Sequence, residues 1–237
     1  MRETIALFQP DVIVHLAAMT DVDGCERDPE MAFDVNVRGT ENLLDNFNGR
    51  FIYISTDYVF DGSDGPYTEK DEVNPISVYG RTKFYGEDLV QQSNATWVIL
   101  RSNVVFSFNE RTKASFMDWV VDSLKNRQSI TVVDDQWNNP TWTVDLARII
   151  SRIIDHEIQG LYHYGGRDLL NRFAFAEMIA ETFKLDRTLI EPIDTASLNQ
   201  LAKRPLKSGL CTEKIEIDLS VEALPLRKAL NEIYSLS

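Results

Sequence analysis

The feature that most constrains the fold of this chain is a repeated alternation of short apolar runs with segments of helical character. The runs are VIVHLAA at 12–18, FIYI at 51–54 and TWVIL at 96–100. Continuous apolar runs of this length are typical of parallel strands that are buried on both faces, and helices usually connect such strands. The sequence therefore predicts an α/β fold built on a doubly wound parallel sheet.

Each of these predicted strands is followed by small or polar residues. In open α/β sheets, ligands bind at the carboxyl ends of the strands, so the sequence predicts a crevice there. Small side chains would let a flat ligand approach the backbone, and an arginine could pair with a phosphate or form a structural salt bridge. The strand-end groups are Ala17, Ala18 and Thr20, then Ser55, Thr56 and Asp57, then Arg101, Ser102 and Asn103.

Tyr79 and Lys83 are four residues apart in a segment that predicts a helix from Val78. That spacing places them side by side on one helix face. An ammonium beside a phenol favours the phenolate, so we expect the pKa of Tyr79 to be lowered from its usual value of about 10. Such a tyrosine can exchange a proton with a carbonyl or alkoxide oxygen, to which Thr56 or Ser55 could also hydrogen-bond. The set predicts carbonyl–alcohol interconversion, although Tyr-x-x-x-Lys pairs also occur by chance.

Composition and charge exclude several other classes of protein. The 237 residues are 43% hydrophobic, which is enough for a core, and the net charge of −13 comes without a basic stripe for nucleic acid. No apolar run approaches the ~18 residues of a membrane span, and no leader pattern is present, so we expect a cytoplasmic protein. Cys25 and Cys211 are far apart, and the three histidines lack ligand spacing, so no metal is predicted.

Two motifs, STDYVFDG at 55–62 and YGRTKFYGE at 79–87, resemble the extended branch of the short-chain dehydrogenase/reductase superfamily. More narrowly, the sequence is similar to the dTDP-4-dehydrorhamnose reductase family. Further segments have counterparts in that family in the same order: PDVIVHLAAMTDVDGCE, NVRGTENLL, DQWNNPTWTVDLA, GLYHYGG and RPLKSGLCTEK.

The resemblance implies a fold, a cofactor and a reaction. Residues 1–105 would be the remainder of a Rossmann dinucleotide-binding domain, and residues 106–237 would hold a small substrate lobe and the last sheet strand or strands. The cofactor would be NADP(H) or NAD(H), and the reaction would reduce the 4-keto group of a nucleotide sugar. A homodimer is among the assemblies left open.

The resemblance also assigns roles to residues of this chain. Its catalytic residues would be Thr56, Tyr79 and Lys83. Its cofactor-binding residues would be Ala17, Ala18, Thr20, Ser55, Tyr79 and Lys83. Its substrate-binding residues would be Thr56, Asp57, Arg101, Asn103, Val104 and Arg204.

Two of the implied roles have structural alternatives. Asn36 would organise Lys83 through water, or it would simply be solvated on its helix. Arg204, with Lys207, would lie near the phosphates of the substrate, or both would belong to a solvated basic loop. The sequence leaves these alternatives open.

The sequence departs from the family pattern in two places. Family members open with a strand, a Gly-x-x-Gly-x-x-Gly turn and a helix that bind the cofactor pyrophosphate, and none of the eleven glycines here falls in that pattern. We therefore expect an N-terminally truncated Rossmann unit in which the strand at 12–16 has an exposed edge. In addition, Val104 stands where the family usually has a tryptophan, so the identity of the sugar nucleotide is left open.

These departures keep two other functions under consideration. The chain could be a non-catalytic regulatory subunit, similar to the β subunit of methionine adenosyltransferase. It could also be a sugar-nucleotide epimerase or dehydratase, which uses the same tyrosine and lysine but retains its nicotinamide cofactor.

Overall fold

The computed structural model describes residues 2–108 and 115–236, which form α-helices, strands and connecting turns. The strands are β1 (Val12–His15), β2 (Arg50–Thr56), β3 (Thr96–Ser102), β4 (Val105–Phe106), β5 (Ile130–Val133), β6 (Trp137–Asn138), β7 (Thr141–Trp142), β8 (Gly160–Tyr164), β9 (Leu170–Asn171) and β10 (Ile190–Ile193). The helices are α1 (Arg2–Phe8), α2 (Val22–Arg27), α3 (Pro29–Phe33), α4 (Gly39–Leu44), α5 (Val78–Gln92), α6 (Phe116–Lys125), α7 (Thr143–Asp155), α8 (Arg172–Thr182), α9 (Glu213–Leu219) and α10 (Leu226–Leu236).

The main sheet is parallel throughout and has the strand order β1-β2-β3-β8. Side chains along β2 alternate between its two faces, as the pleat of a strand requires. Ile52 packs into one apolar cluster, whereas Phe51 and Tyr53 pack into the cluster on the other side. The predicted parallel α/β sheet is confirmed, and β1 lies at its edge in the described part of the chain.

Helices cover both faces of this sheet. Leu43 and Leu44 of α4, together with Val90 of α5, pack against the face that carries Phe51 and Tyr53. The opposite face is covered by α7 and α9, whose contacts are Leu146, Ile149, Ile153, Ile215 and Leu219. This arrangement agrees with the doubly wound sheet that the alternating pattern predicts.

A third apolar cluster forms a separate lobe around β5 and β10, which pair in parallel. Buried residues of α6, α8 and α10 pack together there, including Val120, Phe175 and Leu230. The segment at 129–135 is therefore a strand, as predicted, but it belongs to the lobe and not to the main sheet. The chain returns to the main sheet at β8, which pairs with β3.

The helix boundaries agree only in part with those predicted from the sequence. Asn171 caps α8 as predicted, with its side chain accepting from the Ala174 backbone N–H at 2.7 Å. The segment at 30–47 is predicted as one helix, but a π-helical turn at Asp34–Arg38 separates α3 from α4. Helix α9 is not predicted from the sequence. No helix among the described residues is long and apolar enough to cross a membrane.

Candidate active site

The site is built around the carboxyl end of β2, where Thr56 and Asp57 leave the sheet. Thr56 caps a short 3-10 turn by accepting from the Tyr58 backbone N–H at 3.2 Å, and its hydroxyl donates to Asp57 Oδ1 at 3.1 Å. Asp57 is buried, and its other oxygen accepts from the Ser208 hydroxyl at 2.5 Å. Burial raises the pKa of Asp57 to about 6, although the hydrogen bonds from Ser208 and Thr56 oppose that rise.

Tyr79 lies in the first turn of α5, which begins after the N-cap Ser77. Its ring packs edge-to-face on Tyr58, with 5.5 Å between the ring centroids. Burial raises the pKa of Tyr79 well above its ordinary value, while its hydrogen bond with the Thr56 side chain acts in the opposite direction. The predicted lowering of this pKa is wrong for this structure, because removing the phenol from water disfavours the phenolate.

Lys83 lies one turn further along α5 and is buried. Its Nζ is 4.0 Å from the centroid of the Tyr53 ring, a cation–π contact. Burial lowers the pKa of Lys83 to about 7, and the carboxylate of Glu87 opposes that change. Burial and the nearby Lys83 likewise lower the pKa of His15 to about 4, so this histidine is neutral at pH 7.

Asn36 connects the loop after β1 to α5. Its Oδ1 accepts from the Met19 backbone N–H at 2.7 Å, and its Nδ2 donates to the Met19 carbonyl at 3.2 Å and to the Thr82 hydroxyl at 2.9 Å. The side chain is buried, so the interpretation of Asn36 as a solvated residue is wrong. Asn36 instead fixes the loop at 18–20 beside the helix that carries Tyr79 and Lys83.

Ser55 and Arg101, which the sequence predicts as ligand contacts, are hydrogen-bonded to a buried side chain of the protein itself. Arg101 forms a two-pronged ion pair with Glu87, with Nε–Oε1 and Nη2–Oε2 distances of 2.9 and 2.6 Å, and Ser55 donates to the same carboxylate at 2.5 Å. All three are buried, and Arg101 also contacts His163 and lies over the Phe60 ring. The structure therefore favours the structural salt bridge for Arg101, and it gives the Ser55 hydroxyl the same buried carboxylate as its partner.

The end of β3 holds the next two predicted substrate residues. Asn103 is buried and donates to the Ser208 carbonyl at 3.2 Å, so it anchors the C-terminal loop. Val104 has φ of 44°, a left-handed conformation that is unfavourable for a β-branched residue. Strained backbone of this kind is concentrated at functional sites, which is consistent with the position of Val104 next to the strand-end groups.

A crevice of about 400 Å³ opens beside these strand ends. Two predicted residues, Thr20 and Arg204, line it, and so does Tyr58. Arg204 is held by Asp23, with 3.1 Å between its Nη2 and Oδ1, and its side chain is 10% exposed. Sequence analysis missed Arg172, which faces the same space from the first turn of α8, next to the aromatic side chains of Phe116 and Trp119.

The remaining predicted residues lie at the end of β1. Ala17 is exposed and Ala18 is partly exposed, so the backbone there is accessible, while Met19 packs with Tyr79 in a small cluster. Glu87 was also missed, although its spacing of four residues from Lys83 places it on the same face of α5. Ser208 had no sequence signal that links it to Asp57, because 151 residues separate the two.

Comparison with known proteins identifies the family. The family model described as the RmlD substrate binding domain matches residues 1–236. The chain belongs to this family. The dTDP-4-dehydrorhamnose reductase of Aggregatibacter actinomycetemcomitans is 34% identical over 241 residues, which cover 95% of this chain and 81% of that protein.

A second relative has a different name and role. The methionine adenosyltransferase 2 subunit beta of Danio rerio is 32% identical over 240 residues, which cover 98% of this chain and 74% of that protein. Among solved structures, the dTDP-4-dehydrorhamnose reductase of Bacillus anthracis, in complex with NADP, superposes with a TM-score of 0.91 at 26% identity. That match covers 99% of this chain and 83% of the other.

Proposed function

We propose that this chain is an NAD(P)-dependent oxidoreductase that reduces the keto group of a nucleotide-linked 4-keto sugar. The observation that carries the proposal is that Thr56 at the end of β2 hydrogen-bonds with Tyr79 on α5, the helix that also carries Lys83. Tyr58, which packs on Tyr79, lines the crevice that Arg172 and Arg204 share. Family membership and the reductase relatives support the same activity.

Tyr79 is the proton donor in this proposal. Because burial raises its pKa, the phenol is protonated at neutral pH and can donate to a carbonyl oxygen as that oxygen becomes an alkoxide. Thr56 is the hydrogen-bonding partner of the same oxygen, since its hydroxyl lies next to the Tyr79 phenol. A bound nicotinamide would supply the hydride for the carbonyl carbon.

Lys83 stabilises the phenolate that remains after proton transfer. Because its pKa is about 7, a small change in its surroundings can shift Lys83 between its neutral and its charged form at neutral pH. A negative charge that develops nearby on Tyr79 would favour the ammonium, by the same Coulombic effect that Glu87 exerts now. In this proposal the lysine acts on the chemistry through its charge, whereas burial is the largest effect on the pKa of Tyr79 in the structure.

The residues present fit the nicotinamide end of a dinucleotide. Ala17 and Ala18 give an accessible strand end with small side chains, and Tyr79 and Lys83 lie on the neighbouring helix. Asn36 holds the intervening loop to that helix. The described residues contain no Gly-x-x-Gly-x-x-Gly turn for the pyrophosphate.

The crevice fits the nucleotide part of the substrate. The guanidinium groups of Arg172 and Arg204 line the same crevice. Burial lowers the pKa of Arg172, and the positive charge of the nearby Arg204 adds to that lowering. Paired guanidiniums suit a diphosphate, and exposed aromatic surface from Phe116 and Trp119 suits a nucleotide base. We expect Arg172→Ala to weaken binding of dTDP about tenfold or more in calorimetry, whereas Arg187→Ala, on the exposed surface, should leave it unchanged.

The activity is tested by following oxidation of NADPH and NADH in the presence of dTDP-4-dehydrorhamnose and of other nucleotide-linked 4-keto sugars. Tyr79→Phe should lower kcat by about 100-fold or more, because it removes the proton donor. Tyr85→Phe is the matched control, since Tyr85 is an exposed tyrosine on the same helix. Equal turnover by the Tyr79→Phe variant would refute the mechanism.

The similarity to a methionine adenosyltransferase β subunit supports a second candidate, a non-catalytic regulatory subunit. A stable stoichiometric complex with a partner enzyme, together with no turnover of any 4-keto sugar, would favour it over the reductase. An epimerase or dehydratase would instead retain its nicotinamide, so cofactor release at each turnover separates that class from the reductase.

A further inference from the structure

We propose that Ser208 is a positioning residue for Thr56 and that it acts through the carboxylate of Asp57. This proposal deepens the reductase function above and rests on it. Asp57 receives two hydroxyl donors, Thr56 at 3.1 Å on one oxygen and Ser208 at 2.5 Å on the other. All three side chains are buried, so water does not replace either hydrogen bond easily.

Ser208 itself is fixed from several directions. Its backbone N–H donates to the Trp137 carbonyl at 2.9 Å, and its carbonyl accepts from Asn103 at 3.2 Å. The C-terminal loop on both sides of it is hydrogen-bonded to the segment at 62–67 through Lys207 and Gly209. A serine held in this way presents its hydroxyl to Asp57 in one defined position.

The proton of Thr56 is the reason that this contact matters for catalysis. A hydroxyl has a single proton, and here it is directed to Asp57, while Thr56 also lies against the Tyr79 phenol. A carboxylate that is shared between two donors attracts the Thr56 proton less strongly than one with a single donor. Ser208 therefore sets how readily the Thr56 hydroxyl turns to the reacting oxygen.

Charged and titratable groups on neighbouring elements also face Asp57. Arg172 on α8 favours its ionised form, and Tyr58 and Tyr79 lie next to it on its own turn and on α5. Burial raises the pKa of Asp57 to about 6, and the Ser208 hydrogen bond is the strongest of the effects that hold it down. Loss of the Ser208 hydroxyl should therefore raise that pKa further and move the acid limb of the kcat profile to higher pH.

The test compares Ser208→Ala with wild type and with Ser123→Ala, which removes a buried serine hydroxyl from α6. At pH 8, Ser208→Ala should lower kcat about tenfold with little change in KM, as expected for the loss of a hydrogen bond to a charged group. Ser123→Ala should keep the wild-type kcat and pH profile. In an Asp57→Asn background, Ser208→Ala should have no further effect on kcat or on the pH profile.

Two outcomes overturn the proposal. One is an equal loss of kcat from Ser208→Ala in the wild-type and Asp57→Asn backgrounds, which would mean that Ser208 does not act through Asp57. The other comes from a carboxyl NMR titration, which needs no substrate and so remains decisive if the reductase activity itself is absent. An unchanged Asp57 pKa in Ser208→Ala would overturn the proposal, and a raised pKa would support it.

Discussion

Replacing Asp57 with asparagine should change how the stability of the protein depends on pH. Asp57 is buried, and its pKa rises from 3.8 to about 6 on folding, so the folded state holds its proton more tightly than the unfolded chain. The stabilising effect of that proton is complete below the unfolded pKa and is lost as the pH rises through about 6. Once Asp57 is ionised in both states, the loss amounts to about 3 kcal/mol.

At pH 5 only about half of this loss has occurred, so another ~1.5 kcal/mol should disappear between pH 5 and pH 8. Asp57→Asn has no carboxyl to ionise, and its free energy of unfolding relative to wild type should therefore increase by about 1.5 kcal/mol over that range. Urea unfolding at a series of pH values measures this difference. His15 and His163 also titrate, with pKa values lowered to about 4 and about 3, but they are common to both proteins.

Asp61→Asn provides the matched control. Hydrogen bonds from Ser63 lower the pKa of Asp61 to about 2, so this carboxyl is ionised in both the folded and unfolded states above pH 5. Its variant should differ from wild type by a constant amount between pH 5 and pH 8. A constant difference for Asp57→Asn as well would refute the conclusion that Asp57 is ionised at a cost inside the protein.

The remaining predictions concern stability, measured by urea unfolding. Glu87→Gln should lower the free energy of unfolding by about 3–5 kcal/mol, because it leaves Arg101 buried without its carboxylate partner. The double variant Glu87→Gln/Arg101→Met should recover most of that stability, and a double variant as unstable as Glu87→Gln would contradict the pairing. Val104→Asn should raise the free energy of unfolding by about 1 kcal/mol, because asparagine tolerates the positive φ at this position better than valine does. The control Val105→Asn should not raise it. Asn171→Ala should lower the free energy of unfolding by about 1 kcal/mol, because it removes the side chain that caps α8. An unchanged free energy of unfolding would exclude Asn171 as a stabilising cap.

The main sheet and its helices could be predicted because their periodicity is local. Apolar runs give β1, β2 and β3, and polar residues at their ends give the side of the sheet on which the site lies. The interruption of the helix at 34–38 could not be predicted in this way. It accompanies the buried hydrogen bonds of Asn36 to Met19 and Thr82, and these depend on the distant helix α5.

The candidate site also has features that the sequence predicts and features that it does not. The four-residue spacing of Tyr79 and Lys83 and the hydroxyl of Thr56 are visible in the sequence, and the structure keeps them on α5 and at the end of β2. The direction of the Tyr79 pKa shift was predicted wrongly, because spacing shows which residues share a helix face but not how deeply they are buried, and burial is the largest effect on this pKa.

The sequence by itself determined the parallel α/β sheet, the edge of the sheet at which the candidate site lies and the spacing of the tyrosine–lysine pair. Only the tertiary structure decided the partners of the strand-end polar groups. Arg101 and Ser55 pair with Glu87, and Asp57 pairs with Ser208 far along the chain. The physical reason is that periodicity records which face of an element is buried, whereas a buried polar group takes whichever partner the folded chain brings to it.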